Sequence, residues 1–247
     1  MLTKDTAVCI RAVDYSETSQ IVTFFAKATG KISAIAKGSK RTKSAFDGPI
    51  EIFSHGKIVF SDSNREKLAT LTEFEQQPIL LGLRNNLLAL NCCLFGAELL
   101  NNMTDDYDPH PELFDRFMQF LQNSCEAKNK AETSALLILF QLSLLKEVGL
   151  MPVLDTCVNC KTRYERRATS DGFYFSSSAN GLVCRDCEAN FQDKMSLTKE
   201  TAGCLANLKL LAGVQEKTLN EVEKVLIYHF TELLGHWPKM AKHILKS

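Results

Sequence analysis

The hydrophobic pattern changes period near residue 78, and the change divides the chain into two kinds of structure. Before Pro78, apolar residues fall in short runs separated by turn residues, as half-buried strands do. Val8, Ile10 and Ala12 alternate in the first run, Gln20 to Phe25 forms the second, and Lys31 to Ala36 follows Gly30 as the third. Ile50 and Ile52, then Ile58 and Phe60, flank Ser54-His55-Gly56 as a hairpin-like pair, and Leu68 to Phe74 closes the series. Five strands in about 70 residues predict a small closed or nearly closed β-barrel, and an SH3-like barrel would show the same pattern.

Beyond Pro78 the apolar positions Leu83, Leu87, Leu88, Leu90, Leu94, Phe95 and Leu99 recur at helical spacing, which predicts a helix over about 79–103. The stretch Thr104 to Pro111, with two prolines and three carboxylates, ends it. Helices are expected over about 112–126 and 130–148, the latter stopped by Gly149, and two more over about 197–212 and 218–234, with a short piece after Pro238. The expected organisation is α+β: a barrel domain at 1–78, then a helical domain at 79–247 carrying a cysteine-bearing module at about 151–195.

Composition narrows the setting. Met1 to Val8 includes polar Thr3, Lys4, Asp5 and Thr6, unlike the apolar core of a signal peptide, and no run approaches the length of a membrane helix. A soluble, cytosolic protein is expected, and nine cysteines in a reducing compartment point to thiols and metal ligands over disulfides. Cys9, Cys92, Cys93, Cys125 and Cys204 sit among apolar neighbours and read as small buried hydrophobes.

Cys157, Cys160, Cys184 and Cys187 form two Cys-x2-Cys pairs separated by 23 residues. Two such pairs complete a tetrahedral shell of thiolates around one Zn²⁺ ion. Structural zinc is favoured over catalytic zinc, which keeps a position open for water, and over a redox dithiol, which needs an adjoining βαβ unit. Lys161, Arg163, Arg166, Arg167 and Arg185 can offset the surplus charge of the thiolates. His229, His236 and His243 lie seven residues apart, too far along a helix to share an ion, and are expected to be surface or cap residues. Asp105, Asp106 and Asp108 read as a solvated loop. No phosphate-cradling, metalloprotease or nucleophile-elbow motif is present, so no catalytic centre is expected.

The formal net charge is zero, yet Lys27 to Phe46 contains Lys27, Lys31, Lys37, Lys40, Arg41 and Lys43 without one acidic residue. Residues 81–150 compensate, with 5 cationic side chains against 9 carboxylates. A single positive face is implied, with Ala36 to Lys43 as a turn-rich, donor-dense loop leaving a strand. Lys31, Lys37, Lys40, Arg41 and Lys43 are the candidate phosphate contacts. Phe46 is the nearest aromatic expected to be exposed, and of the adjacent Phe24 and Phe25 one should be core.

Asp14-Tyr15-Ser16-Glu17-Thr18-Ser19-Gln20-Ile21-Val22 and Gly30 to Arg41 resemble the opening of the bacterial recombinational-repair family RecO. Phe140 to Leu145, followed by Gly149 to Cys160, resembles the same family's passage into its zinc module. The resemblance covers about residues 7–190. It implies an N-terminal OB-fold, a helical domain and a zinc-binding insertion, together with binding of single- and double-stranded DNA and annealing of complementary strands. It also implies action with RecR, and often RecF, to load RecA onto DNA coated by single-stranded DNA-binding protein, whose C-terminal tail the helical domain would bind. Ser16 stands where the family commonly has Gly, and the cysteine quartet is not universal among its members. An adaptor whose zinc module binds proteins while the barrel only scaffolds is the competing expectation.

Overall fold

The computed structural model describes residues 2–41, 44, 46, 48–61, 68–77, 81–164 and 172–245. Strands β1 (Leu2–Asp14), β2 (Gln20–Ala26), β3 (Gly30–Ala36), β4 (His55–Ser61) and β5 (Ala69–Gln77) close into a barrel in the order β1-β2-β3-β5-β4, with β4 returning to β1. All neighbours are antiparallel except β3 and β5. This is the five-stranded OB-fold barrel.

One long strand makes closure possible. The first half of β1 pairs with β4, from Leu2 opposite Ser61 to Val8 opposite His55. Its second half pairs with β2, ending with Asp14 opposite Gln20, and the register shifts between Cys9 and Arg11. Such a bulge bends a strand and increases its twist, which lets β1 serve two partners. Residues 49–54 form a connection and not a strand, so the apparent hairpin around His55 is absent. The hairpin partner of β4 is β5.

Alternation fills the barrel with Val22, Phe24, Ile32, Ile58, Phe60 and Leu71 among others, and Phe24 meets Phe74 edge to face at 5.2 Å between ring centroids. Phe25 points outward but is equally buried, because its ring lies 6.2 Å from Phe114 of helix α3. Both phenylalanines are therefore core, one inside the barrel and one beneath a helix.

The helices are α1 (Leu81–Arg84), α2 (Leu87–Met103), α3 (Pro111–Glu126), α4 (Lys130–Glu147), α5 (Lys199–Ala206), α6 (Glu216–Leu234) and α7 (Ala241–Ile244). The expected helix over 79–103 is thus two, broken at Asn85-Asn86. Capping is local and readable. Asn129 accepts the Glu132 amide at 2.9 Å at the start of α4, and Gly149 (φ 74°) ends it with Leu150 N–H donating to the Leu145 carbonyl at 2.7 Å. Between α4 and α5 lie strands β6 (Phe173–Ser176), β7 (Gly181–Cys184) and β8 (Lys194–Leu197), a sheet in the order β7-β6-β8.

By packing, the chain forms two compact units, one of residues 1–87 with 97–126, the other of 88–96 with 127–247. The first joins the barrel to α3. Gly30 (φ 81°) allows this, since a Cβ there would stand 2.0 Å from the Asp108 carbonyl oxygen. The second unit holds α4, α6 and the cysteine module. Its buried face on α6, with Leu219, Val222, Leu226, Ile227 and Phe230, includes Glu223, which accepts a hydrogen bond from Gln141 Nε2 of α4 at 2.7 Å.

Candidate nucleic-acid interface and metal centre

The four module cysteines converge on one point. Residues 156–163 double back, with Cys157 N–H donating to the Thr162 carbonyl at 3.0 Å and Lys161 in the left-handed region at φ 58°. The second pair sits where β7 ends at Cys184 and a 3-10 turn over Arg185–Asn190 carries Cys187. Val158 N–H donates to the Leu182 carbonyl at 2.8 Å and locks the two knuckles together. Gly181 is required beside that junction, because a Cβ would lie 2.4 Å from the Val153 carbonyl oxygen.

All four Sγ atoms lie within 4.8 Å of one another, and Cys160 and Cys184 are 3.7 Å apart. A tetrahedron with metal–sulfur bonds of about 2.3 Å has sulfur–sulfur edges of about 3.8 Å, so the set fits one cation. Cys184 N–H donates to Cys157 Sγ at 3.4 Å and Asn159 Nδ2 to Cys187 Sγ at 3.3 Å, the outer contacts that orient thiolate ligands. Thr162 draws the Cys160 thiol down to about 6, while burial pushes Cys184 up to about 12. The quartet can hold a metal ion through four protein ligands. Arg166 and Arg167 lie outside the described residues, and Lys161 and Arg185 are exposed nearby in sequence.

The basic loop is a fixed turn. The buried side chain of Gln20 fastens it: its Oε1 accepts from Ser39 Oγ and from the Ile50 amide, both at 2.9 Å, and its Nε2 donates to the Ile50 carbonyl at 3.1 Å. Gly38 N–H reaches Ser19 Oγ at 3.2 Å, and Lys40 N–H reaches the Thr18 carbonyl at 3.1 Å. The turn after β3 and the loop before β2 are therefore one platform. Lys37 and Arg41 are exposed on it, and Lys40 Nζ pairs with Asp14 at 2.7 Å.

The remaining cations divide. Lys31 points to the C-terminal end of α2, where Nζ donates to the carbonyls of Asn101 at 2.8 Å and Thr104 at 2.6 Å and lies 3.4 Å from Asp106. Lys27 pairs with Asp115 at 2.7 Å. Lys43 lies outside the described residues. The sequence run of six is thus two anchors, a turn bearing three cations, and Lys43.

Three expectations need correction. Phe46 is 3% exposed, inside the barrel core, and its carbonyl accepts from Gln76 Nε2, so it offers no stacking face. The exposed aromatic of the platform is Tyr15, at 63%. Its place in the turn between two barrel strands was visible in sequence but was eclipsed by the cationic run. His229 is fully buried, with Nδ1 2.7 Å from Ser177 Oγ and its ring edge-on to Phe175. Burial lowers it to about 4, so it is a neutral core residue, whereas His236 and His243 are exposed as expected. The acidic loop is not merely solvated, because Asp106 faces Lys31 and Asp108 lies 3.2 Å from His110 Nε2. Of the other cysteines, Cys9, Cys92, Cys93 and Cys204 are buried, Cys125 is half-buried, and burial raises Cys9 to about 12. No described helix is long and apolar enough to cross a membrane.

Comparison with known proteins agrees with this division of the chain. Residues 1–77 match the family model for the N-terminal part of recombination protein O, and residues 84–242 match the model for its C-terminal part. The chain is 28% identical over 249 residues to the DNA repair protein RecO of Bacillus pumilus, covering 98% of this chain and 93% of the relative. It is 28% identical over 252 residues to that of Bacillus subtilis, covering 99% and 94%. It is 33% identical over 205 residues to that of Rhodopirellula baltica, covering 82% and 73%.

Proposed function

The chain belongs to the RecO family, and from that premise we propose that it is a DNA-repair and recombination mediator that binds single- and double-stranded DNA and anneals complementary strands. With RecR and RecF it helps load RecA onto DNA coated by single-stranded DNA-binding protein, whose C-terminal tail it engages through the acidic helical part. The observation that carries the reading is the Gln20-fastened turn, which presents Lys37 and Arg41, with Lys40 beside them, on an OB-fold barrel.

Annealing needs no catalytic residue. Two strands repel through their phosphates, and cations that neutralise phosphates release counterions and lower that repulsion. A pinned turn makes the contact with little loss of backbone entropy on binding. Lys37, Lys40, Arg41 and Lys43 are the proposed contacts. Lys40 would exchange Asp14 for phosphate, an exchange between exposed partners that costs little. Lys31 supports the site from within.

Four phosphate contacts predict a fall of log affinity for single strands with log salt at a slope of about −3. Replacing Lys37, Lys40 and Arg41 by Ala should reduce that slope by about 2 and abolish annealing of bare and coated strands. Unchanged binding, slope and annealing in the triple variant would refute the assignment.

For the metal, one Zn²⁺ per chain is the proposed occupant, held by Cys157, Cys160, Cys184 and Cys187. Thiolate sulfur favours a soft or borderline cation, and a closed tetrahedral shell suits structural zinc. When bound it supplies a cross-link between the two knuckles. The proposed mediator is not an enzyme, and the metal has a folding role in it.

A further inference from the structure

The final turn of the chain is a second place where an aromatic ring and cations share an exposed surface. Helix α6 stops at Gly235, in the left-handed region at φ 70°, and the chain then folds back through hydrogen bonds from Ala241 N–H to the Pro238 carbonyl at 3.2 Å and from Leu245 N–H to the Ala241 carbonyl at 3.1 Å. Pro238 and Ala241 are buried and anchor this segment, whereas Trp237 is 49% exposed and Lys239, Lys242 and His243 are exposed. Leu233 and Leu245 add exposed apolar surface, at 36% and 38%.

Charge sets this segment apart from an ordinary solvated end. After Glu232 no acidic residue occurs in the sequence, while Lys239, Lys242 and Lys246 do, so the segment carries three positive charges and no negative one of its own. A large indole left half in water beside unbalanced cations suits a ligand that offers flat aromatic faces and regularly spaced negative charges. Single-stranded nucleic acid offers both, whereas a duplex hides its base faces by stacking. Lysine pairs with phosphate as a point charge, and indole stacks on any base.

We propose that residues 236–245 form a second single-strand contact, in which Trp237 stacks on a base and Lys239 and Lys242 take neighbouring phosphates. The inference rests on the DNA-binding reading above and deepens it: annealing needs two strands held by one protein, and this segment lies outside the unit that contains the basic turn.

Trp237 is the only tryptophan in the chain, so its emission reports this segment alone. The full-length metal-loaded protein is titrated with oligothymidylate, following binding by anisotropy of a labelled strand and Trp emission with an unlabelled one. Emission should be quenched as binding saturates, and quenching should persist, at higher concentrations, when Lys37, Lys40 and Arg41 are replaced by Ala. Lys239→Ala with Lys242→Ala should weaken binding about fivefold and reduce the salt slope by about 1.4. Trp237→Ala should weaken it about tenfold, and Trp237→Tyr, which keeps a stacking face, should restore most of the loss. Saturated binding with unchanged Trp emission, or a lysine pair variant that binds as tightly as the parent, overturns the second contact and leaves the barrel reading intact. No change in anisotropy with the parent protein overturns both.

Discussion

The ammonium of Lys31 sits against the carbonyl oxygens of Asn101 and Thr104, while that of Lys37, at the exit of the same strand, stands in solvent. Charge-assisted hydrogen bonds of this kind contribute about 1.5–3 kcal/mol each to stability, and the carbonyls at a helix end have few other partners. Lys31→Met should therefore destabilise the barrel unit by about 2–3 kcal/mol in urea denaturation. Lys37→Ala and Arg41→Ala should change stability by less than about 0.5 kcal/mol. A Lys31 variant as stable as the parent would remove it from the role of anchor. The cationic run could be read from sequence, but its division could not, since the carbonyls that claim Lys31 lie about 70 residues away. The same distance hid Gln20, an ordinary polar residue at a strand start until its partners Ser39 and Ile50 arrive.

At the scale of the element, α6 carries two buried titratable groups of opposite tendency. Burial pushes Glu223 from 4.5 up to about 8, so the folded chain keeps a proton that the unfolded chain releases, and stability falls as pH rises across that interval. Burial lowers His229 from 6.5 to about 4, so the unfolded chain takes up a proton that the fold refuses, and stability falls as pH drops across that interval. Between 4.5 and 6.5 the two slopes oppose each other, and above 6.5 Glu223 acts alone. Stability should therefore decline by up to about 2 kcal/mol from pH 6.5 to 8, at about 1.4 kcal/mol per pH unit. Glu223→Gln should lack that decline and instead lose stability steadily below 6.5. A decline as steep in the variant as in the parent would contradict the assignment.

The helical elements were legible because their periods, Asn129 cap and Gly149 stop are local. Glu223 was legible in principle, since 219, 222, 223, 226, 227 and 230 mark one helix face, but a carboxylate among several glutamates looked like a solvated one. His229 was misread for a related reason. Its spacing from His236 and His243 suggested a shared surface, and nothing local announced the Ser177 hydroxyl that receives it.

For the whole molecule, the two compact units imply two separable stabilities. Chelation, or Cys157→Ser, should lower the thermal midpoint of the unit that contains the cysteine module, by several degrees or to complete loss, because binding energy at a structural metal is folding energy. The barrel unit should keep its midpoint and its salt-dependent affinity for single strands. Acid should act like chelation, since thiolates that take up protons release the metal. Calorimetry with and without chelator, alongside strand binding, tests this, and equal loss in both units would argue against it. The quartet was the clearest chemistry in the sequence because thiolate spacing is itself a geometric instruction. The barrel was legible as a strand count, but its order was not, because parallel β3–β5 pairing is set by closure and not by any local turn.

The bent β1 strand has a consequence for how the chain is made. Its first half pairs with β4, and Ser61, the partner of Leu2, leaves the ribosome about 59 residues later, roughly 3–12 s at ordinary rates of synthesis. For that time residues 2–8 are a nascent edge with no neighbour. Lys4 and Asp5 punctuate that segment with opposite charges, and charged residues on an unpaired edge discourage pairing with other chains. The polarity that set these residues apart from a secretion signal thus also guards an unfinished barrel during translation.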